Sequence, residues 1–125
     1  MKFSRPQTFL PAILLSGLAL TSSLSAVHDP ASVSNFKQTN QCRGCDLTGA
    51  ELMGMQAPGA QLQNANLSDA SFYGGSLRGA DLTGAILDRT NLEMVDLTGA
   101  IGAILGPAQT DNRTTCPDGS AGPCS

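Results

Sequence analysis

Cut every five residues, residues 45–104 read CDLTG AELMG MQAPG AQLQN ANLSD ASFYG GSLRG ADLTG AILDR TNLEM VDLTG AIGAI. The third position of the first eleven units is Leu47, Leu52, Ala57, Leu62, Leu67, Phe72, Leu77, Leu82, Leu87, Leu92 and Leu97. Two places before each centre stands a small residue, most often Ala, and the residue between them is polar in every unit but that of Ile86. Gly closes seven of the units, from Gly49 to Gly99. A period of five matches neither the 3.6 of an amphipathic helix nor the 2 of a strand. On a helix the Leu series would circle the axis and bury no single face, and each internal Gly would cost about 1 kcal/mol. The period is accounted for if the backbone turns one corner per unit. Four units then make a square coil of twenty residues, and coils stack at strand spacing, about 4.8 Å. The central Leu points inward, the small residue fits the corner, and the polar residue faces water.

This A-[DN]-L-x-x pattern resembles the pentapeptide-repeat family over residues 45 to about 104. The resemblance implies an all-β fold: a right-handed quadrilateral parallel β-helix of about three coils, roughly 14 Å tall at strand spacing. Stacking every twenty residues predicts interior columns Leu47–Leu67–Leu87, Leu52–Phe72–Leu92, Ala57–Leu77–Leu97 and Leu62–Leu82, with Gly102 at the top of the last. At Ala57 the inward residue is small while Met55, in the corner before it, is large, so flexible Met fills the gap. Asp69 and Arg89 fall in one register and should pair on the surface for under about 1 kcal/mol.

The chain divides into an export leader over 1–26, an N-terminal cap segment over 27–44, the repeats over 45–104 and a C-terminal tail over 105–125. Lys2 and Arg5 precede an apolar run from Phe9 to Leu20 and the small polar run Thr21 to Ala26, the order of a secretory signal. The apolar run is shorter than the roughly 20 residues a spanning helix needs. Cleavage is expected after Ser25 or Ala26, the second being the poorer fit because of Leu24, and no stable membrane insertion follows it. Asp29-Pro30-Ala31-Ser32 reads as a helix start, and the short capping helix that follows is expected to bury Val33, Phe36 or both. A Pro-led helix, Thr39, then Cys42-x-x-Cys45 running into Asp46-Leu47-Thr48-Gly49 is similar to exported cyanobacterial and thylakoid-lumen members of the family. That similarity implies a periplasmic or lumenal protein. The segment Thr114 to Ser120 resembles the closing segment of the same group, with Cys116 in place of Met.

Cys42, Cys45, Cys116 and Cys124 are an even set in an exported chain and are expected to form disulfides. Four cysteines allow three connectivities. The local pairs Cys42/Cys45 and Cys116/Cys124 are favoured because the rod separates them, and cross-pairing stays open because the tail after Ile104 can fold back.

Aromatic residues are 4% of the chain, with no Trp and one Tyr, so no core of large rings is available. The net charge is −3, or −5 once Lys2 and Arg5 leave with the leader. A mildly acidic chain is a poor binder of nucleic-acid phosphates. His28 is the sole histidine, so no Ser/His/Asp set forms around it, and no phosphate-cradling Gly-rich loop precedes a helix. No catalytic, cofactor or metal residue is assigned, and the protein reads as a non-enzymatic interaction or scaffold module. Outward apolar residues are the best guide to an unknown protein partner. Met53 and Tyr73 should stack on one side with Met94 close by, while Ile86 and Ile101 are expected to pack against the termini. Two rods could also associate end to end. The alternatives are a DNA-mimicking protector of topoisomerases, which the short rod and the leader disfavour, and a thiol redox protein using Cys42 and Cys45.

Overall fold

The computed structural model describes residues 28–125; the leader expected over residues 1–26 lies outside them. The chain begins with one helix, α1, Pro30–Thr39. Asp29 caps it by accepting from the Ala31 N–H, and Pro30 costs nothing at the first turn, where its missing N–H has no helical partner. Asn40 stops the helix in the left-handed region, φ 59°, and its N–H donates to the Phe36 carbonyl. Phe36 is the buried residue of α1, and its ring meets Phe72 edge to face with centroids 6.2 Å apart. Val33 packs against the same core from partial exposure.

From Gln41 onward the chain winds as a stack of parallel bridges, each joining a residue to the one twenty later: Gln41 to Gln61, Asp46 to Asn66, Glu51 to Ser71, Gln56 to Ser76 and onward to Asp81–Ile101. The bridging residue is the one before each centre, polar except at Ile86 and Ile101. Two hydrogen bonds make each rung, as where the Leu47 N–H donates to Asn66 O (2.8 Å) and the Asn66 N–H donates to Cys45 O (2.9 Å). A tight bond turns each corner, for example from the Ala50 N–H to Leu47 O at 3.0 Å. The unit's last residue takes positive φ, which Gly adopts freely.

The interior is the series expected from the repeat. Leu47, Leu62, Leu67, Phe72, Leu77, Leu82, Leu92 and Leu97 are wholly buried, and Leu52 and Leu87 nearly so. Fully burying each such side chain contributes about 1.5–3 kcal/mol. Corner residues Ala50, Ala60, Ala65, Ala70 and Ala80 leave no exposed surface either. Ala57 is buried and Met55 packs beside it against the core. Above Met55 the coil closes so tightly that a Cβ at Gly75 would lie 2.5 Å from the Met55 carbonyl oxygen.

The winding extends beyond the twelve units at both ends. Upstream, Gln41–Cys42–Arg43–Gly44 already follows the winding, with Gln41 on the ladder, Cys42 inward at 2% exposure and Gly44 at positive φ. Downstream, Gly102 replaces the central Leu, and Thr83 leaves no space for a Cβ there. The chain slips out of frame and returns, so that Gln109 bridges Asn91 and Thr115 bridges Asp96. A small antiparallel closure then joins Thr115 to Ala121.

Candidate interaction surface

The outward polar residue of each unit has local work. The N–H of the first residue after each centre makes no rung, although its carbonyl accepts one, as Ser68 O does from the Gly49 N–H; where Asp or Asn stands two places before it, that side chain takes the N–H. Thr48, Ser68, Thr83, Glu93 and Thr98 donate in this way to Asp46, Asn66, Asp81, Asn91 and Asp96 at 2.9–3.0 Å. Pro58 occupies the same position in its own unit, where an absent N–H breaks no rung. Hydrogen bonds from Thr48, Thr83 and Thr98 hold the carboxyls of Asp46, Asp81 and Asp96 below the usual carboxylate range. Asp69 is lowered as well, chiefly by its hydrogen bonds from Arg89 at 2.7 and 2.8 Å, the pair the stacking register requires. Arg78 reaches Asp96 at 3.0 Å. These carboxylates are occupied by turns and neighbours rather than arrayed as a free anionic face.

The apolar residues on the outside fall into two groups. Met53 and Tyr73 stand on consecutive coils of one side, 64% and 37% exposed, joined behind by the Gly54 N–H donating to Tyr73 O. Glu93, twenty beyond Tyr73, continues that column, and Met94 stands one place further on at 38% exposure. The tail segment Asp111–Arg113, which the repeat pattern does not flag, brackets this patch. The Asp111 carboxylate accepts from the Met94 N–H at 3.1 Å, and the Arg113 guanidinium pairs with Asp111 at 3.0 Å. Arg113 also lies near the Tyr73 ring oxygen, a lesser contributor than Asp111 to its raised pKa. Desolvation pushes the Asp111 carboxyl up, yet bonds from the Met94 N–H, the Thr114 hydroxyl and Arg113 outweigh it and bring the pKa down to about 2. Met94 and Arg89 close their units at φ 59° and 56°, where residues other than Gly, Asn or Asp are strained; Arg89 is held there by its pair with Asp69, whereas the Met94 side chain is apolar and exposed.

The second group is Ile86, Ile101 and Ile104, at 46%, 57% and 69% exposure. The described C-terminal tail buries neither Ile86 nor Ile101, and residues 1–27 lie outside the described structure. The tail does cross the unit that carries Ile86, where the Arg89 N–H donates to Pro107 O, before it pairs with Asn91 and Asp96, yet Ile86 and Ile101 keep about half their surface exposed.

The cysteines sit at the two ends of the core. Cys42 opens the column of Leu62 and Leu82, and Cys116 closes that of Leu77 and Leu97, the Leu97 N–H donating to Thr115 O. In the structure Cys42 is bonded to Cys45 (S–S 2.08 Å) and Cys116 to Cys124 (2.03 Å). Cys42, at 2% exposure, presents almost no surface for thiol exchange. Among the described residues no three His, Cys, Asp or Glu side chains converge, and no helix is long and apolar enough to cross a membrane.

A family model described as pentapeptide repeats (8 copies) matches residues 41–74 and 65–101. Among solved structures, alr5209, a pentapeptide repeat protein from Nostoc PCC 7120, is 24% identical; the match covers 77% of this chain and 88% of that one with a TM-score of 0.52. That likeness shows the fold, a β-helix solenoid. HetL, a pentapeptide repeat protein involved in heterocyst differentiation regulation from Nostoc sp. strain PCC 7120, is 34% identical; the match covers 66% of this chain and 40% of HetL, with a TM-score of 0.37. This chain therefore spans less than half of HetL. A pentapeptide repeat protein of the Arabidopsis thaliana thylakoid lumen is 28% identical over 58% of this chain and 62% of its own, with a TM-score of 0.20. No curated protein matches the chain.

Proposed function

The chain belongs to the pentapeptide-repeat family, and we propose that it serves as a small, rigid, exported protein-interaction or scaffold module with no enzymatic activity. In this reading the solenoid is right-handed and four-sided, with about three coils, α1 caps its first coil, and the two disulfides fasten its ends. The leader over 1–26 directs the chain to a periplasm or thylakoid lumen, an oxidising setting in which those disulfides persist. The observation that carries the reading is Met94, an exposed apolar side chain held at φ 59° where Gly closes seven sibling units. Backbone strain of this kind is retained where a side chain has a use, and Met94 stands beside Met53 and Tyr73.

Two measurements test it. Intact mass and a non-reducing peptide map of the protein from fractionated cells should give a chain starting near Ala26 or Val27 with Cys42–Cys45 and Cys116–Cys124 linked. Partner capture from that compartment should be lost in Met53→Asp and Tyr73→Asp at an unchanged denaturation midpoint. Capture equal to that of the unsubstituted protein would remove the patch from consideration, and a chain starting at Met1 with four free thiols would remove export.

A further inference from the structure

We propose that the open rim of the first coil is a docking edge for an extended segment of a partner protein. The segment adds one parallel rung along residues 50–54, with a basic residue opposite Glu51 and an apolar residue beneath Met53. The proposal rests on the interaction-module reading and names the chemistry of the partner at the Met53 end of the patch.

The hydrogen-bond register identifies the backbone groups that the rim leaves unused. One coil up, the Ser71 N–H donates to Ala50 O at 2.9 Å, and Ser71 O and Tyr73 O accept from the Leu52 and Gly54 N–H groups at 2.8 Å. In the next unit the Ser76 N–H donates to Met55 O, and Ser76 O and Arg78 O accept from Ala57 and Gly59. The equivalent groups of the first coil are the Glu51 and Gln56 N–H and the carbonyls of Glu51, Met53, Gln56 and Pro58. They face the level where a lower coil would lie, and none has a hydrogen-bond partner among the described residues. The two preceding units are served by α1 and its cap: Asn35 Nδ2 donates to Gln41 O at 2.9 Å, and the Asp29 N–H donates to Asp46 O at 3.2 Å. Past them, Glu51, Met53, Gly54, Gln56, Pro58 and Gly59 stay exposed.

Unpaired N–H and C=O groups at rung spacing are a template for another extended backbone. In the parallel register of the stack, the residue before the basic one would accept from the Glu51 N–H. The residue after it would donate to Glu51 O, and the third residue after it would donate to Met53 O. Glu51 takes no turn N–H as the shorter Asp and Asn do at this position, and it has no salt bridge among the described residues. Its carboxylate therefore favours a cation across the rung. Met53 is the most exposed member of the patch, and an apolar side chain beneath it extends the column of Met53 and Tyr73. A second copy fits less well. The chain is acidic, with a net charge of −3, and α1 fills the end of the core with Phe36 where a second rod would stack.

The test uses the whole protein, isotope-labelled for NMR, with the peptide acetyl-Ala-Lys-Ala-Leu-Gly-amide as probe. With peptide at about ten times its dissociation constant, hydrogen-exchange protection of the Glu51 N–H should rise about tenfold. N-methylation of the alanine after lysine and of the glycine removes the two donors the edge needs and should abolish the effect. Glutamate in place of the peptide's lysine should weaken binding about fivefold, and Glu51→Lys should reverse that preference at an unchanged denaturation midpoint. Protection that is absent, or that survives N-methylation, overturns the edge, and equal binding of the two peptides overturns the part given to Glu51. Protection that rises with protein concentration alone, together with a doubled mass, makes a second copy the occupant and overturns the partner assigned here. Failure of the edge leaves capture through Met53 and Tyr73 standing, whereas capture unchanged in Met53→Asp and Tyr73→Asp removes the patch even where the peptide binds.

Discussion

Thr90 stands in a corner where most units have Ala, and it is wholly buried. Its hydroxyl donates to Leu67 O, one coil back, at 2.7 Å, and Thr114 repeats the bond to Leu92 O at 2.9 Å. Both carbonyls also take a corner bond, from Ala70 and Val95, so Thr90→Val removes a hydrogen bond without orphaning its acceptor. Urea unfolding should show a loss of about 1 kcal/mol with an unchanged slope. Gly75→Ala belongs to the same scale with a different cause. The new Cβ would fall 2.5 Å from Met55 O, a backbone atom that cannot swing away, and the same assay should read a loss of about 1–3 kcal/mol. Met94→Gly should raise stability by about 1 kcal/mol through relief of the left-handed conformation while weakening partner capture. A stability gain with capture intact would count against the role given to Met94. Ala57 and Met55 could be paired from sequence because their volumes compensate. The close approach at Gly75 could not, because it depends on the height of one coil above another.

At the scale of elements, α1 and the tail act on opposite ends of one core. α1 contributes one large buried side chain, and Phe36→Ala should cost about 3–5 kcal/mol, since the cavity forms against Phe72 inside the stack. The start of α1 was legible in Asp29-Pro30, which the structure has as the cap and the first helical residue. The tail was much less so. Its rungs at Gln109 and Thr115 lie 18 and 19 residues from their partners, so a search at a fixed period passes over them. Asp111 makes the tail's attachment pH-sensitive. Its folded pKa of about 2 lies below the ordinary value of 3.8, so its contribution is complete above that ordinary value and is lost as pH falls through the folded one. The protection factor of the Met94 N–H, taken against intrinsic exchange at each pH, should therefore fall between about pH 4 and pH 2, and Asp111→Asn should remove most of that dependence. Unchanged protection across this range would show that Asp111 does not hold the tail.

For the whole molecule, each coil touches only its neighbours, so stability passes along the stack and both ends need closure. Leu67→Ala, in the middle coil beneath Leu87 and above Leu47, should cost about 2–5 kcal/mol and lower one cooperative calorimetric transition; two separated transitions would contradict a continuous core. The five-residue period by itself determined the coil, the inward Leu series and the register that pairs Asp69 with Arg89, because a strict repeat fixes which residues lie above which. The polar residue before each centre was also legible, though its role in taking a turn N–H was visible only in the folded backbone. The tertiary structure alone decided how the irregular ends close. It put Cys42 and Cys116 at the ends of core columns, brought Asp111 and Arg113 beside Tyr73 and Met94, and left Ile86 and Ile101 half-exposed. Those outcomes depend on where a chain that has left its period returns to the stack, and contacts across the coil, rather than local pattern, set that point.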